Sequence, residues 1–324
     1  MVNADENIRL SVVILTYNRK ESLLSQLKSL QIQGQYDKYR IYISDNHSNY
    51  DVKEWVENNL PSDFTRIIEV FSWGHNTGHE LNASFAFCLP KTDWMWILSD
   101  DDLTEPNSLR FILDDIEKEN NEDVCWIKYS IAGNFKPNKE YYAHSVEDVF
   151  NYYSQVKGNA NELVFLCNNV YRLSCLREYL TNMLVYSDTA MSPELLPLYA
   201  IKNDKKQAYF SPRCLTNYEN AAGMSWSPIW AFSKFGNMLY TDLNLSKREI
   251  KAFKKIQFCG TGKFLSILSR VEEKALMHEY FKKMFIAHYK LFSLKGMACL
   301  LGYLPLYILG GPKLRSLRHL FRKH

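Results

Sequence analysis

Three consecutive aspartates, Asp100, Asp101 and Asp102, are the residues whose type and spacing point most clearly to chemistry. They follow the apolar run 94–98 after a single serine. Adjacent carboxylates repel one another and destabilise a fold unless a positive group lies between them. Carboxylate oxygens are also the ligands that hard divalent cations take. We therefore interpret the triplet as a divalent-cation site. The alternative is a solvated acidic turn before a helix that Pro106 begins.

Residues 8–130 alternate strand-like and helix-like segments, and these elements must position the triplet. Short apolar runs rich in β-branched residues are typical of strands buried on both faces, and helical spacing of apolar residues follows the runs. The predicted strands are 10–15, 40–44, 66–71, 94–98 and 124–129, and the predicted helices are 23–30, 52–60, 81–88 and 107–119. Repeated strand–helix units predict an α/β fold with a mostly parallel sheet flanked by helices.

Polar side chains follow four predicted strands at the points where those strands end. They are Thr16, Tyr17 and Asn18, then Asp45 with Asn46, then Asn76 with Gly78, and finally the aspartate triplet. In an open α/β sheet the carboxyl ends of the strands form the ligand crevice, so these groups should meet there. The alternative is that short polar residues simply favour turns. Neither GxGxxG after the first strand nor GxxxxGK(S/T) occurs, which argues against a nicotinamide dinucleotide fold and a P-loop.

The composition is that of a globular protein, because apolar residues make up 46% of the 324 residues and charged residues 23%. The net charge of +3 predicts no nucleic-acid partner. Seven scattered cysteines without a CxxC pair indicate reduced thiols rather than a disulfide framework or a zinc site. The polar, acidic segment 1–10 does not resemble a signal peptide, so we expect a cytoplasmic protein.

Four blocks of the sequence together resemble the family 2 glycosyltransferases with the GT-A fold. The blocks are VVILTYNR at 12–19, ISDNHSNYD at 43–51, NTGHELNAS at 76–84 and WILSDDDLTEP at 96–106, in matching order and spacing over residues 8–130. The resemblance implies a nucleotide-activated sugar donor, with UDP the commonest nucleotide. It also implies a Mn²⁺ or Mg²⁺ ion and inversion at the anomeric carbon.

The resemblance implies roles for individual residues. Asp101 matches the metal-binding carboxylate of the family's DxD motif, with Asp102 assisting, and Asp100 would face the ribose or the sugar. Ser99 stands where many members have the first aspartate of the motif, so the choice among the three carboxylates stays open. The nucleotide-binding positions implied are Thr16, Tyr17, Asn18, Asp45, Asn76, Gly78 and Asp100.

A transferase of this kind needs a carboxylate that takes the proton from the attacking hydroxyl of the acceptor. In the family this general base lies in the second half of the catalytic domain, after a strand and a loop, and residues 162–172 resemble that strand. Asp188 is the preferred candidate for the base. Glu194 is the second choice, because it follows Pro193 and fits an ordinary acidic residue in the first turn of a helix.

His75 and His79 are the one histidine pair with the spacing of metal ligands in this region. A zinc site needs further ligands, and no third one is evident near them in the sequence. The spacing could also straddle a loop, and we therefore expect no zinc.

The chain changes character after residue 245. We assign 1–245 to the catalytic domain, with a nucleotide half at 8–130 and an acceptor half at 131–245, and 246–324 to a helical, basic region. Residues 296–312 lack charge but are broken by glycine and proline, so we do not predict a spanning helix. A basic amphipathic tail follows, which favours peripheral contact of 296–324 with an anionic membrane. A packed hairpin or a contact within a homo-oligomer is the alternative.

The sequence thus predicts an inverting, metal-dependent glycosyltransferase of bacterial type. We expect it to add a sugar to a hydroxyl of a surface polysaccharide or lipid-linked glycan at the inner face of the cell membrane. Two other functions stay open at this point. One is a non-catalytic glycan-binding or membrane scaffold module on the same fold. The other is a nucleotidyltransferase, which would begin with a glycine-rich basic loop where this chain has TYNRKES.

Overall fold

The computed structural model describes residues 8–119, 122–130, 139–155, 163, 165–187, 192–216, 242–253, 255, 268, 274–288 and 300–310. The strands are β1 Leu10–Thr16, β2 Tyr39–Asp45, β3 Ile68–Ser72, β4 Trp94–Ser99, β5 Val124–Ser130, β6 Tyr141–Ala143, β7 Asn169–Arg172 and β8 Gln207–Cys214. The helices are α1 Lys20–Gln31, α2 Val52–Asn59, α3 Ser62–Thr65, α4 His79–Phe85, α5 Ser108–Lys118, α6 Val146–Gln155, α7 Leu180–Val185, α8 Leu195–Asn203, α9 Lys247–Phe253, α10 Lys274–His288 and α11 Tyr303–Leu309.

The described strands form one sheet in the order β3-β2-β1-β4-β7-β5-β8-β6. Strands β1 to β4 pair in parallel, which confirms the predicted α/β architecture of the first half. Beyond β4 the sheet becomes mixed, because β7 runs antiparallel to both β4 and β5, and β6 runs antiparallel to β8. The central strands are buried on both faces, as their continuous apolar runs predict.

Helices cover both faces of the sheet because side chains alternate across each strand. On β1, Val13 and Leu15 pack into one apolar cluster, while Val12 and Ile14 pack into the other. The second cluster contains the buried leucines of α1 and the apolar stripe of α5. The parallel strands therefore pack between two apolar clusters, one on each face of the sheet. Their carboxyl ends all lie at the same edge of the sheet.

Several predicted boundaries differ from the structure. The strand predicted over 162–172 is shorter, since a 3-10 helix occupies Leu166–Asn168 and pairing begins at Asn169 with β5 and at Val170 with β4. Asn169 accounts for this, because its side chain donates to the carbonyls of Phe165 and Leu166 and turns the chain there. The third strand begins at Ile68 rather than at residue 66, after the short helix α3.

The loop after the acidic triplet is hydrogen-bonded to the segment that follows β8. Thr104 forms an isolated antiparallel bridge with Thr216, and the Glu105 N–H donates to the Leu215 carbonyl at 2.7 Å. The Ser108 hydroxyl at the start of α5 also donates to the Leu215 carbonyl, at 2.6 Å. These bonds fix the chain on both sides of the triplet, because β4 holds it from the other end.

The C-terminal helices carry an exposed apolar face. Tyr303 of α11 packs on Phe281 of α10, with ring centroids 3.7 Å apart, and its hydroxyl lies 2.9 Å from His278 Nδ1. Leu304 and Ile308 lie on the other side of α11 and are 62% and 59% exposed. No helix in the described part of the chain is long and apolar enough to cross a membrane. The domain boundary at residue 245 stays a prediction.

Candidate active site

The ends of β1, β2 and β4 bring the predicted polar residues to one edge. Thr16 pairs with Asp45 in the β1–β2 register, and Leu15 pairs with Ser99 in the β1–β4 register. Thr16 therefore lies between the second strand's aspartate and the acidic triplet. The convergence predicted from the strand-end pattern is present at these three strands.

The first two aspartates of the triplet share one arginine. The Thr16 hydroxyl donates to Asp100 Oδ2 at 2.7 Å, and Arg19 Nη1 donates to Asp100 Oδ1 at 3.1 Å. The same Nη1 forms an ion pair with Asp101, whose other oxygen accepts from the Ser99 hydroxyl. The Asp100 side chain is only 3% exposed, whereas that of Asp101 is 24% exposed. Asp101 is thus the more accessible of these two carboxylates.

Asp102 accepts a hydrogen bond from the thiol of Cys167. The Cys167 thiol, in the 3-10 helix before β7, donates to Asp102 Oδ2 at 3.3 Å and accepts from the Ser99 N–H at 3.1 Å. Trp96 Nε1 donates to the Cys167 carbonyl at 2.8 Å and fixes that segment against β4. Burial raises the pKa of the Cys167 thiol well above its ordinary value, so it remains a protonated donor.

Burial raises the pKa of two of the three aspartates, Asp100 and Asp102. Removal from water raises the pKa of Asp100 to about 6, although the Thr16 hydrogen bond and the Arg19 charge act in the opposite direction. Burial likewise raises the pKa of Asp102 to about 6, against the Cys167 hydrogen bond. Three carboxylates with one arginine between them form a site of excess negative potential, which favours a further cation.

The loops after β1 and β2 are cross-linked by their own short side chains. The Ser48 N–H donates to Asp45 Oδ1 at 3.0 Å, and the Ser48 hydroxyl accepts from the Asn18 N–H at 2.8 Å. Asn18 Oδ1 in turn accepts from the Asn49 N–H at 2.8 Å. Asn18 adopts a φ of 55°, a left-handed conformation that asparagine tolerates better than most residues. Tyr17, beside it, is 42% exposed and offers a ring face at this rim.

A second amide network joins the loops after β2 and β3. Asn46 Nδ2 donates to Asn76 Oδ1 at 2.9 Å, and Asn46 Oδ1 accepts from the Thr77 N–H at 2.8 Å. Asn76 Oδ1 also accepts from the Gly78 N–H at 2.9 Å. Gly78 has a φ of 84°, which a side chain would strain, and α4 begins directly after it. Both predicted residues of this block therefore help to shape the loop beside Asp45.

Of the two candidates for the general base, Glu194 is among the described residues. Asp188 lies outside the described residues. Glu194 ends the 3-10 helix Ser192–Glu194 and is fully buried, and neither carboxylate oxygen has a hydrogen-bond partner among the described residues. Burial raises the pKa of Glu194 to about 8, although the charge of nearby Lys128 opposes the shift. Glu194 is therefore a neutral carboxyl at pH 7, remote from solvent.

The donor set suits a hard cation better than zinc. His79 is partly buried, and burial lowers the pKa of its imidazole. Within the described ranges no three His, Cys, Asp or Glu side chains, the aspartate triplet included, are placed so that they could together hold a metal ion of any kind. A partly exposed carboxylate backed by two others fits Mg²⁺ or Mn²⁺, which take one or two carboxylates together with substrate phosphates. Asp101 is the residue best exposed to supply that oxygen.

Sequence reasoning missed the residues that hold the triplet in place. Arg19 follows the predicted β1 end and could have been found as the basic residue nearest the acidic cluster along the sheet edge. Cys167 carried no local signal, because it lies 65 residues from Asp102 in the sequence. The predicted departure at Ser99 has a function in the fold, since its hydroxyl and its N–H bond to Asp101 and Cys167.

Comparison with solved structures supports the fold. Residues 1–349 of S. aureus TarS, solved in complex with UDP-GlcNAc, match with a TM-score of 0.54 and 14% identity over 88% of this chain and 90% of that one. The mannosyltransferase PcManGT from Pyrobaculum calidifontis, in complex with GDP-Man and Mn²⁺, matches with a TM-score of 0.54 and 11% identity over 95% of this chain and 82% of that one. At such identities the likeness concerns the fold alone.

Comparison with curated protein sequences gives no match. The model of the family described as "Glycosyl transferase family 2" matches residues 11–180, more than half of the chain. That range contains β1 from its second residue, β2 to β4, the acidic triplet and the cross-linked loops. The chain therefore belongs to glycosyltransferase family 2 and is a glycosyltransferase with the GT-A fold.

Proposed function

We propose that this glycosyltransferase moves a sugar from a nucleotide diphosphate donor, with UDP as the first nucleotide to test, to a hydroxyl of a surface polysaccharide or lipid-linked glycan. The observation that carries the proposal is the shared rim of Asp45, Thr16 and the acidic triplet, with Asp101 its accessible carboxylate. The nucleotide sugars bound in the TarS and PcManGT complexes, UDP-GlcNAc and GDP-Man, support a donor of this class.

Each residue of the rim would have a distinct task. Tyr17 and Asp45 would contact the base and the ribose, with Asn18, Asn76 and Gly78 shaping the loops around them. Asp101, assisted by Asp102, would hold Mn²⁺ or Mg²⁺, and Thr16 would keep Asp100 in position toward the ribose or the sugar. When bound, the cation would supply positive charge to the diphosphate leaving group.

The reaction would be a single displacement with inversion. The acceptor oxygen attacks the anomeric carbon as the bond from that carbon to the diphosphate breaks, through an oxocarbenium-like state. Asp188 would take the hydroxyl proton, with Glu194 as the alternative base. The electron pair of the broken bond leaves with the nucleotide diphosphate, so one glycosidic bond replaces one sugar–phosphate bond.

Substitution of Asp101 tests the function directly. We expect Asp101→Ala to lower sugar transfer by at least about a thousandfold, because the site loses its accessible cation ligand. Asp114→Ala, at an exposed carboxylate of α5, is the matched control and should keep full activity. The measurement is transfer and hydrolysis over a panel of UDP, dTDP and GDP sugars, with circular dichroism to establish folding. Full activity of Asp101→Ala would remove the metal role, and donor binding without any transfer would favour a non-catalytic module.

We also propose peripheral contact with the inner face of the cell membrane through residues 296–324. The exposed ridge of Leu301, Leu304 and Ile308 supports it, together with the basic segment that follows in the sequence. We expect the protein to sediment with phosphatidylserine-containing vesicles, and the double variant Leu304→Ser with Ile308→Ser to bind at least about tenfold more weakly. Ile32→Ser, at another exposed apolar residue, is the control. Equal binding of the double variant would exclude this ridge as the membrane contact, and a wild type that does not sediment with the vesicles would favour packing within the protein or a homo-oligomer.

A further inference from the structure

Arg19 makes the described ion pairs of the acidic triplet, and it does so through a single atom. Nη1 contacts one oxygen of Asp100 at 3.1 Å and one oxygen of Asp101. An atom of positive charge between two carboxylates occupies the kind of position that a coordinated cation would take. In the free protein the guanidinium therefore neutralises the negative charge of Asp100 and Asp101, which a divalent ion would neutralise in the complex.

The two carboxylates that Arg19 joins are held differently. Asp100 keeps a second donor, the buried Thr16 hydroxyl, and is almost fully enclosed. Asp101 is 24% exposed, and the Arg19 side chain is 40% exposed. Arg19 lies just before α1, and its side chain caps no backbone group of that helix. The contact with Asp101 can thus open toward solvent while Asp100 stays anchored.

We propose that Arg19 is the built-in counter-ion of this site, and that a divalent cation displaces its guanidinium from Asp101. The inference rests on the proposed role of Asp101 as cation ligand. A cation within coordination distance of Asp101 and a guanidinium on the same carboxylate repel each other strongly in a partly buried site. The displaced guanidinium remains beside the bound diphosphate, and its planar fork of donors suits phosphate oxygens.

Displacement has a thermodynamic signature. Arg19 competes with the cation in the nucleotide-free protein, so it keeps cation affinity low until a diphosphate offers the guanidinium a new partner. Coupling between two ligands is reciprocal, so part of the cooperativity between cation and diphosphate would come from this one side chain. A charge that merely lay nearby would weaken cation binding in the free and the nucleotide-bound protein alike.

The test measures Mn²⁺ binding to the full chain by electron paramagnetic resonance, with and without saturating UDP. We expect Arg19→Met to bind Mn²⁺ about tenfold or more tightly than the wild type without UDP, and to gain much less with UDP present. Arg172→Met is the matched control, because it removes an arginine–aspartate pair with Asp93 at the opposite end of β4. That variant should bind Mn²⁺ as the wild type does.

A second measurement follows the guanidinium itself. The NMR signal of the Arg19 side chain, identified by its loss in Arg19→Lys, should move when diamagnetic Mg²⁺ saturates the site. An unmoved signal, or equal Mn²⁺ affinity of Arg19→Met and the wild type, would overturn the displacement while leaving the proposed function intact. A wild type that binds no Mn²⁺ even with UDP would instead overturn the metal role and this inference with it.

Discussion

The acidic triplet at the ends of β1 and β4 and the single carboxyl of Glu194 in the second half are both removed from water, but they are held in opposite ways. The triplet has donors from Thr16, Arg19 and Ser99. Glu194 has no hydrogen-bond partner among the described residues and is fully buried, with Lys128 as its nearby charge. Burial raises a pKa in both places, yet only the triplet exposes an oxygen to a ligand.

This contrast shows that a shifted pKa alone does not identify a catalytic carboxyl. A general base must come within hydrogen-bond distance of the proton that it removes. Glu194 has the pKa of a good base, at about 8, but no exposed surface. Asp101 has both exposure and neighbouring charge. The burial of Glu194 therefore counts against it as the base, and Asp188 stays our preferred prediction.

Substitution of each candidate base should give the largest difference between Asp188 and Glu194. We expect Asp188→Asn to lower kcat by about 10²–10⁴-fold, the usual contribution of a general base, with donor binding unchanged. Glu194→Gln should keep kcat within about tenfold of the wild type, because a buried neutral carboxyl and an amide are nearly equal in size and charge. Both are measured at saturating donor and acceptor. The reverse ranking would make Glu194 the base and require the segment around it to open.

Stability as a function of pH isolates the buried carboxyl. The folded pKa of about 8 lies above the ordinary value of 4.5, so the folded chain holds the Glu194 proton more tightly than the unfolded chain does. This contribution is complete below pH 4.5 and is lost as the pH rises toward 8. We expect it to reach on the order of 5 kcal/mol, since the folded and ordinary pKa values differ by about 3.5 and one pKa unit corresponds to about 1.4 kcal/mol.

Urea unfolding of the wild type and Glu194→Gln at several pH values between 4.5 and 8.5 measures this contribution. The wild type should lose stability across that window more steeply than the variant, because an amide does not titrate. Asp114→Asn, at an exposed carboxylate, provides the control and should follow the wild type. Parallel pH profiles for the wild type and Glu194→Gln would show that the carboxyl is ionised in the folded protein.

The arrangement of residues 8–130 could be predicted from the sequence because its signals are local. Each parallel strand is a short apolar run, and each is followed within a few residues by the polar groups that meet at the sheet edge. The β1–β2 and β1–β4 registers then bring Thr16, Asp45 and Ser99 together without any further information. When all the strands run in parallel, the polar residues that follow them in the sequence come together at one edge of the sheet.

The second half could not be predicted in the same way because its determinants are distant in sequence. The strand β7 joins the sheet between β4 and β5 and runs antiparallel to both, so no strand–helix repeat indicates its position. Its 3-10 entry follows from side-chain bonds of Asn169, and Cys167 reaches Asp102 only through that entry. Lys128 and Glu194, 66 residues apart, likewise meet only in the folded protein.

Removal of the Thr16 hydroxyl tests how strongly the triplet depends on a hydrogen bond to a charged carboxylate. Thr16→Val keeps the shape of the side chain but removes the donor to Asp100, a buried carboxylate. We expect a loss of about 1.5–3 kcal/mol in the free energy of unfolding at pH 8, where Asp100 is ionised, because a hydrogen bond to a charged group is worth that much. The matched control is Thr104→Val, whose hydroxyl bonds only to uncharged Ser29 and Gln33 and should cost about 1 kcal/mol.

The pH dependence of this loss distinguishes the charged bond from simple packing. Below pH 6 the Asp100 carboxyl takes up a proton, since burial raises its pKa to about 6, and the Thr16 hydroxyl then faces a neutral group. The cost of Thr16→Val should therefore fall toward that of Thr104→Val as the pH drops from 8 to 5. A cost that stayed near about 1 kcal/mol over this range would mean that Asp100 is already neutral at pH 8, and the triplet would then resemble Glu194 rather than contrast with it. A cost that stayed at about 1.5–3 kcal/mol would mean that Asp100 is still ionised at pH 5.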